Sequence, residues 1–326
     1  MKLQQLRFLA SVAQNDLNLT AAAAKLNATQ PAISKQLKLL EDELGFNLFV
    51  RKGRQFTGLT APGERVIEHA LRLLREAENI KGISEDFQDQ ARGSLSIATT
   101  HTQARYVLPP VIQQFRQRFP EVEFHLHQGT SEQIAKLADV DGVDFAIATG
   151  SEQLFPKYVL LPCYRWYRRI VVPAGHPLTR IERPSLQQLS SFPIVTYVFS
   201  LHGPSSLLEA FEREGLRPDI ALTARDADII KTYVRLGLGV GIVAEVAIDP
   251  KADLDLVSIS AAHLFPIHTT WIGFPRHGLL RTYMYEFLSL MGKHLTRDLV
   301  DRAADCTGPE ELDALMATVQ LPQRCQ

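Results

Sequence analysis

The sequence predicts an α/β protein with a small, mainly helical N-terminal part. The chain has 326 residues, which exceeds the size at which one hydrophobic core usually keeps growing. Apolar residues recur at helical spacing near the N-terminus, and strand-like runs alternate with helical runs beyond Gly93. We therefore expect a first domain over 1–60, a helix over 61–90, a body over 91–292 and an extension over 293–326.

The composition is typical of a soluble globular protein, with 45% hydrophobic and 22% charged residues. The longest apolar runs are far shorter than the roughly 18 residues that would suggest a membrane span, so we expect a cytoplasmic protein with no membrane partner. The cysteines lack metal-ligand spacing, and we expect free thiols and no metal site. They are Cys163, Cys306 and Cys325.

Positive charge is concentrated at the N-terminus. Residues 1–60 hold eight basic and four acidic side chains, a net charge of 8 − 4 = +4 within a chain of formal net charge −1. The remainder then carries −1 − 4 = −5. A basic head on an acidic body suits a nucleic-acid partner.

The first sixty residues contain three predicted helices. An amphipathic helix ends before Gln14, and Thr20 is the expected N-cap of an alanine-rich second helix. Thr29 is the expected N-cap of the third, with Pro31 in its first turn, where a missing N–H costs nothing. The predicted buried stripe of the third helix is Ile33, Leu37 and Leu40.

The opposite side of the third helix is polar and cationic. It presents Gln30, Ser34, Lys35 and Lys38, one short turn after the second helix. This chemistry is typical of a helix that reads base edges in the major groove of double-stranded DNA. Backbone amides at the start of the helix, beside Thr29 and Pro31, could also hold a phosphate.

A basic hairpin is predicted after the third helix. Phe46, Leu48 and Phe49 alternate like a short strand, and a second strand is expected over 56–59. We expect the cations of the turn between them to lie along the phosphate backbone or in the minor groove, and the helices together with this hairpin predict a winged helix-turn-helix. The cations of this wing are Arg51, Lys52 and Arg54.

The helix over 61–90 carries a heptad-like apolar seam, which predicts a homodimer. Paired heads would read an inverted repeat. The seam residues are Val66, Ala70, Leu73, Ala77, Ile80, Ser84 and Phe87.

The body is predicted to contain a largely parallel sheet with flanking helices. Two subdomains are expected to face one cleft, the first over about 91–162 and 267–292 and the second over about 163–266. Strands are predicted over 95–98, 122–126, 145–148, 170–172, 194–197 and 240–243, with a helix over 227–236.

Polar residues follow two of these strands. A strand ends in Thr100, Thr102 and Gln103 before a helix begins, and another ends at Thr149. Strand ends and helix N-termini are where open α/β sheets bind ligands, and hydroxyls beside free amides suit a small anion. Helix capping by these threonines is the alternative.

The N-terminal sequence resembles the LysR-type transcriptional regulators. The run AAAAKLNATQPAISKQLKLLEDELGFNLFVR and the later LTAPGERV carry this resemblance. Further runs, ATTHTQARY, HQG, DFAIAT, LPCYRW and DADIIKTYVRLGLGVGIVA, are similar to the CysB branch of that family. The resemblance implies a two-subdomain effector domain like the periplasmic binding proteins, homotetramer formation, no enzymatic activity, and contact with promoter DNA and with RNA polymerase.

The CysB branch regulates sulfur assimilation and cysteine synthesis, and it senses acetylserine-type inducers, sulfate or thiosulfate. The resemblance places its effector pocket at Thr100, Thr102, Gln103 and Thr149. The chain departs from the branch at 200–205, where His202 replaces a threonine that contacts the ligand, and at Gly150, where glutamate is usual. These departures favour a diverged effector, such as a sulfonate or another organic anion.

The sequence also bears on two other protein classes, enzymes and free-standing solute-binding proteins. An enzyme is disfavoured because no Gly-x-Ser-x-Gly elbow occurs and the glycines over 237–241 lack dinucleotide-binding spacing. A free-standing solute-binding protein is opposed by the basic head and the missing signal-peptide pattern. His125 and His127 point the same way on a strand, but no carboxylate or cysteine set nearby completes a metal site.

Overall fold

The computed structural model describes residues 1–53, 55–88, 91–140, 143–201 and 207–324. The chain divides into two compact units, Met1–Gln90 and Ala91–Gln326. The predicted site residues Arg54 and His202 lie outside the described residues, as does Cys325. No helix in the described part of the chain is long and apolar enough to cross a bilayer.

Three helices pack around a small core in the N-terminal unit. They are α1 (Leu3–Gln14), α2 (Leu19–Lys25) and α3 (Gln30–Leu44). The predicted stripe Ile33, Leu37 and Leu40 is fully buried. The predicted cap of α2 is wrong, because the N-cap is Asn18, two residues earlier, whose side chain accepts the backbone N–H groups of Thr20 and Ala21.

The wing is an antiparallel hairpin of β1 (Phe49–Lys52) and β2 (Gln55–Leu59). Phe46 and Leu48 precede the first strand rather than belonging to it. The long helix α4 (Ala61–Gln88) follows and is about 42 Å long at 1.5 Å per residue. Its start lies against the wing, since a Cβ at Gly63 would stand 2.1 Å from the Leu48 carbonyl oxygen.

The first part of the predicted dimer seam belongs to the core of its own unit. Ala70 is buried, and Val66 packs against the same cluster as the α1 and α3 side chains. The helix exposes apolar side chains further along, with Leu73 at 47% and Ile80 at 69% exposure. A seam formed with a second chain would therefore begin near Leu73 rather than at Val66.

The second unit contains two five-stranded mixed sheets, so the α/β class is confirmed. Sheet I has the order β4-β3-β5-β12-β6, with β3, β4 and β5 parallel and β12 antiparallel to both neighbours. Its strands are β3 (Gly93–Thr99), β4 (Val122–Gln128), β5 (Phe145–Thr149), β6 (Tyr158–Trp166) and β12 (His268–Pro275). Helices α5 (Leu108–Arg118), α6 (Ser131–Val140) and α10 (Thr282–Met291) accompany these strands.

Sheet II has the order β11-β7-β10-β8-β9, with β8, β9 and β10 parallel and β7 antiparallel to both neighbours. The antiparallel strands make each sheet mixed, so the expectation of a largely parallel sheet is wrong. The strands of sheet II are β7 (Arg168–Pro173), β8 (Ile194–Tyr197), β9 (Ile220–Ala224), β10 (Val240–Ala244) and β11 (Leu256–Ser260). Helices α7 (Leu186–Leu189), α8 (Leu207–Arg213) and α9 (Ala227–Arg235) complete this part.

The chain crosses from sheet I to sheet II at Tyr167, a few residues beyond the expected limit at 162. Strand β6 continues because Cys163, Tyr164 and Trp166 are buried in the sheet I core. Two helices at the C-terminus, α11 (Arg297–Asp305) and α12 (Pro309–Ala317), pack on that same core, the first through Val300 and the second through Leu312. The extension therefore packs on the body of its own chain.

Candidate functional sites

The exposed side of α3 presents the predicted DNA contacts together. Thr29 is the N-cap and Pro31 lies in the first turn, as predicted. The side chains of Gln30, Lys35 and Lys38 are exposed, and Ser34 is half-buried among them. Lys38 forms a 2.8 Å ion pair with Asp42, and because both side chains are more than half exposed this pair is weak enough to open. Roles for these residues as base and phosphate contacts stay predictions.

The wing is tied to α3 by a buried carboxylate. Glu41 is only 2% exposed. Its Oε1 accepts the backbone N–H groups of Leu48 at 2.9 Å and Phe49 at 3.4 Å, and its Oε2 pairs with Arg51. The Arg51 guanidinium also lies over the Phe56 ring, 4.8 Å from its centroid. Arg51 therefore holds the wing in place. The predicted phosphate contact of Arg51 would use the same guanidinium that pairs with Glu41.

In the second unit, the predicted effector residues converge on Thr270, at the end of sheet I where β5 ends and β12 begins. Thr270 Oγ1 lies 2.8 Å from Thr149 Oγ1 and accepts hydrogen bonds from Gln103 Nε2 at 3.4 Å and Trp166 Nε1 at 3.1 Å. Either hydroxyl of the Thr149–Thr270 pair can donate to the other, and Thr270 also hydrogen-bonds the Tyr164 hydroxyl. The cluster therefore combines neutral hydroxyl, amide and indole groups around Thr270 and Thr149.

The strand ends of sheet II lie opposite this end of sheet I. Thr102, 8% exposed, hydrogen-bonds the hydroxyl of Tyr197 at the end of β8. Tyr197 also accepts the Ala244 backbone N–H at 3.2 Å, and burial raises the pKa of this phenol to about 12. Thr100 is half-buried between β3 and a π-helical turn over Gln103–Val107. The structure thus brings Thr100, Thr102, Gln103 and Thr149 to one junction between the sheets.

A buried arginine lies at the same junction. Arg168, 2% exposed at the start of β7, donates from Nη1 to Ser200 Oγ at 2.6 Å. His268, at the start of β12, stacks on the Trp166 ring with centroids 4.7 Å apart. Burial and the nearby Arg168 charge lower the pKa of His268 to about 3, so this imidazole is neutral at physiological pH.

A second set of contacts joins the two sheets beside the first. Tyr106, on the same π-helical turn as Gln103, donates to Asp228 Oδ1 at 2.6 Å. Lys231 lies under the Tyr106 ring and pairs with buried Asp253 at 2.8 Å. Burial and the Asp228 carboxylate raise the pKa of Tyr106. The turn that carries Gln103 is therefore fastened to α9 of the other sheet.

One group of residues in the described chain could ligate a metal. His101, Asp226 and Asp228 place ligand atoms within 4.8 Å of one another. Asp226 already accepts the N–H of Ile229 as the N-cap of α9, and Asp228 binds Tyr106. Two cations approach Asp228 as well, Arg105 at 3.7 Å and Lys231 at 4.0 Å. Such positive surroundings favour ion pairing within the protein over a divalent cation.

Two family models match this chain. A model described as "Bacterial regulatory helix-turn-helix protein, lysR family" matches residues 3–64. A model described as "LysR substrate binding domain" matches residues 88–296. The chain belongs to the LysR family of transcriptional regulators. The first matched segment contains α1–α3 and the wing, and the second contains both sheets.

Similar regulators align over nearly the whole chain. The SsuR regulator of Burkholderia cenocepacia is 44% identical, covering 90% of this chain and 96% of that protein. The CysB regulator of Haemophilus influenzae is 42% identical, covering 98% and 99%. The Cbl regulator of Escherichia coli is 41% identical, covering 96% and 99%. The predicted family and its CysB-like branch are therefore confirmed.

Solved structures agree with this assignment. The structure described as the cofactor-binding domain of the Cbl transcriptional regulator is 42% identical, has a TM-score of 0.61, and covers 66% of this chain and 95% of that one. Full-length CbnR bound to its target DNA has a TM-score of 0.57 over 91% of this chain, and at 21% identity it shows the fold alone. Because these relatives are transcriptional regulators, the LysR-type chain is a regulator and not an enzyme.

Sequence reasoning missed several residues of this regulator's junction. Trp166, Arg168, His268 and Thr270 lie beside the predicted threonines but belong to strands β6, β7 and β12. A partial signal was present at Arg168 and Arg169, because two charged residues directly before the apolar run at 170–172 mark a strand start, although it does not distinguish one arginine from the other. Thr270 had no such signal, since it lies in the middle of a strand and far along the chain.

Proposed function

We propose that this LysR-type regulator binds promoter DNA as a homotetramer and controls genes of sulfur assimilation or cysteine synthesis in response to a small anionic effector. The LysR family and a substrate-binding domain are the established part. Support for the sulfur assignment comes from the CysB-like runs of the sequence and from similarity to regulators named CysB and Cbl.

The observation that best supports an anionic effector is the hydrogen-bond network around Thr270. Its neutral hydroxyl and amide groups suit a sulfate, thiosulfate or acetylserine-type carboxylate. The effector site proposed here comprises Thr100, Thr102, Gln103 and Thr149, with His202 as its variable member. The DNA surface comprises Thr29, Gln30, Pro31, Ser34, Lys35, Lys38, Arg51, Lys52 and Arg54.

A second candidate, an organic anion such as a sulfonate as effector, is favoured by Gly150. This residue follows Thr149 with a φ of +64°, and a Cβ there would meet nothing within 4 Å. The glutamate usual in the CysB branch would add a negative charge beside the anion site. Its replacement by glycine removes that charge and leaves room for a larger anion.

Fluorescence anisotropy with the purified full-length chain tests the proposal. Labelled promoter fragments of sulfur-assimilation genes and scrambled fragments would be titrated with sulfate, thiosulfate, acetylserine or methanesulfonate present. We expect an anion to change promoter affinity in the wild type but not in Thr149→Ala, while Ser34→Ala lowers promoter preference. If no anion alters binding, or if Thr149→Ala responds like the wild type, the proposed effector site is wrong.

A further inference from the structure

The guanidinium of Arg168 is a buried charge that no described residue neutralises. It is 2% exposed, and its Nε is buried without a hydrogen-bond partner. Among the described residues, no carboxylate lies within ion-pair distance of Arg168, and its one hydrogen bond goes to the neutral Ser200 hydroxyl. Burial lowers the pKa of Arg168 to about 10, which still leaves it protonated at neutral pH.

The other described groups around Arg168 carry no negative charge at neutral pH. Tyr197 has its pKa raised to about 12, and the Phe265 ring lies 5.9 Å from the guanidinium carbon. His268 is neutral, and its Nε2 is also buried without a partner. A buried cation without a counter-charge is strongly unfavourable, so this site is completed by an anion from outside the chain.

The neighbouring Arg169 shows how a structural arginine is satisfied in the same strand. Its Nε donates to Ser258 Oγ at 2.9 Å, its Nη2 donates to the Ser258 carbonyl at 3.2 Å, and its Nη1 lies 3.5 Å from Glu245. Within the described part of the chain, Arg168 has a single hydrogen bond, the one to Ser200. The contrast argues against a purely structural role for Arg168.

We propose that Arg168 binds the anionic group of the effector directly and selects effectors that carry an oxyanion. This inference rests on the proposed function, in which the junction holds a small anion, and it adds the residue that recognises the charge. Tyr197 connects the two groups, since it hydrogen-bonds Thr102 and lies near Arg168. The guanidinium offers planar donors suited to a sulfonate or carboxylate, and the threonines hold the uncharged part of the molecule by neutral hydrogen bonds.

Calorimetry and thermal unfolding of the full-length protein test this role. The probes are thiosulfate, methanesulfonate and the uncharged methanesulfonamide, with R168Q, R168K and the matched control R169Q. We expect R168Q to lose at least about tenfold in affinity for both anions and to lose the preference for methanesulfonate over methanesulfonamide. R168K keeps the charge without the planar fork, and we expect it to retain the preference with about tenfold weaker binding.

Unfolding midpoints without ligand separate recognition from structure. R168Q removes an unpaired buried charge, so its midpoint should equal or exceed that of the wild type. R169Q breaks satisfied contacts and should lower the midpoint without changing anion affinity. The proposal is overturned if R168Q binds both anions like the wild type, or if it weakens methanesulfonamide as much as methanesulfonate while losing stability.

The same measurements distinguish this inference from the proposed function. If R168Q does not fold, unchanged anion affinity in R168K overturns the role of Arg168. Wild-type protein that binds none of the anions contradicts the proposed function itself. Wild-type binding that depends on Thr149 but not on Arg168 supports that function and rejects only the present inference.

Discussion

Replacing Glu41 by glutamine tests whether Arg51 holds the wing through this carboxylate. The carboxylate is buried and accepts the N–H groups of Leu48 and Phe49 as well as the Arg51 guanidinium. Glutamine keeps one acceptor oxygen for the two amides. Its NH2 group, however, replaces the oxygen that faces Arg51, so two donors oppose each other where an ion pair stood.

The expected loss in the free energy of local opening follows from how far each side chain of the Glu41–Arg51 pair is buried. Breaking a buried ion pair costs about 3–5 kcal/mol, and a hydrogen bond to a charged group contributes about 1.5–3 kcal/mol. The Glu41 side chain is 1% exposed but that of Arg51 is 34% exposed, so solvent screens part of the interaction. We expect a loss of about 2 kcal/mol in the free energy of local opening, which corresponds to roughly 30-fold faster exchange.

Hydrogen exchange at the Leu48 and Phe49 amides is the assay, because these N–H groups donate to Glu41 itself. Asp42→Asn is the matched control. It removes the same charge from the same helix, but from an exposed pair with Lys38, and should change exchange by less than about 0.5 kcal/mol. Equal exchange rates in the two variants would refute the reasoning. The role of Arg51 would then be limited to DNA binding.

Three further predictions concern DNA, assembly and pH. Arg54→Ala should weaken binding to all DNA sequences alike and reduce the salt dependence by about one ion, and altered sequence preference without lost affinity would contradict this. Leu73→Lys places a charge on an apolar side chain that is 47% exposed and should abolish the dimer while the body stays folded, so an unchanged mass by light scattering would be contrary. Anion affinity should strengthen as pH falls through about 6.5 if His202 lines the pocket, because protonation adds positive charge beside the anion. His268, whose pKa is about 3, stays neutral over this range. Calorimetry should therefore show that the anion affinity of the His202→Thr variant does not depend on pH.

The fold was predictable wherever a local pattern decides it. The stripe Ile33, Leu37 and Leu40 is buried as its spacing predicts, and the strand over 194–197 has the bounds read from the sequence. Thr149 ends a strand at a sheet junction, again as predicted. These features depend on side-chain periodicity and turn residues, which a single sequence contains.

Pairing between distant segments was not predictable in this way. Thr270 contacts Gln103 across 167 positions of the chain, and no periodic signal connects them. The heptad spacing that includes Val66 and Ala70 indicates an apolar helix face but not what covers it. Here the core of the N-terminal unit covers both residues. Periodicity identifies a buried face, whereas the identity of the partner depends on tertiary packing.

Arg168 and Arg169 show why the junction could be only partly predicted. The two residues are identical and adjacent, and a sequence gives no reason to treat them differently. Because successive side chains of a strand point to opposite faces, β7 sends one guanidinium to Ser258 and Glu245 and the other towards the junction. Among the described residues, the arginine with partners is Arg169, because Ser258 of β11 and Glu245, which follows β10, lie beside it. The difference between a structural and an anion-binding arginine is therefore set by the sheet, and only the assembled fold shows it.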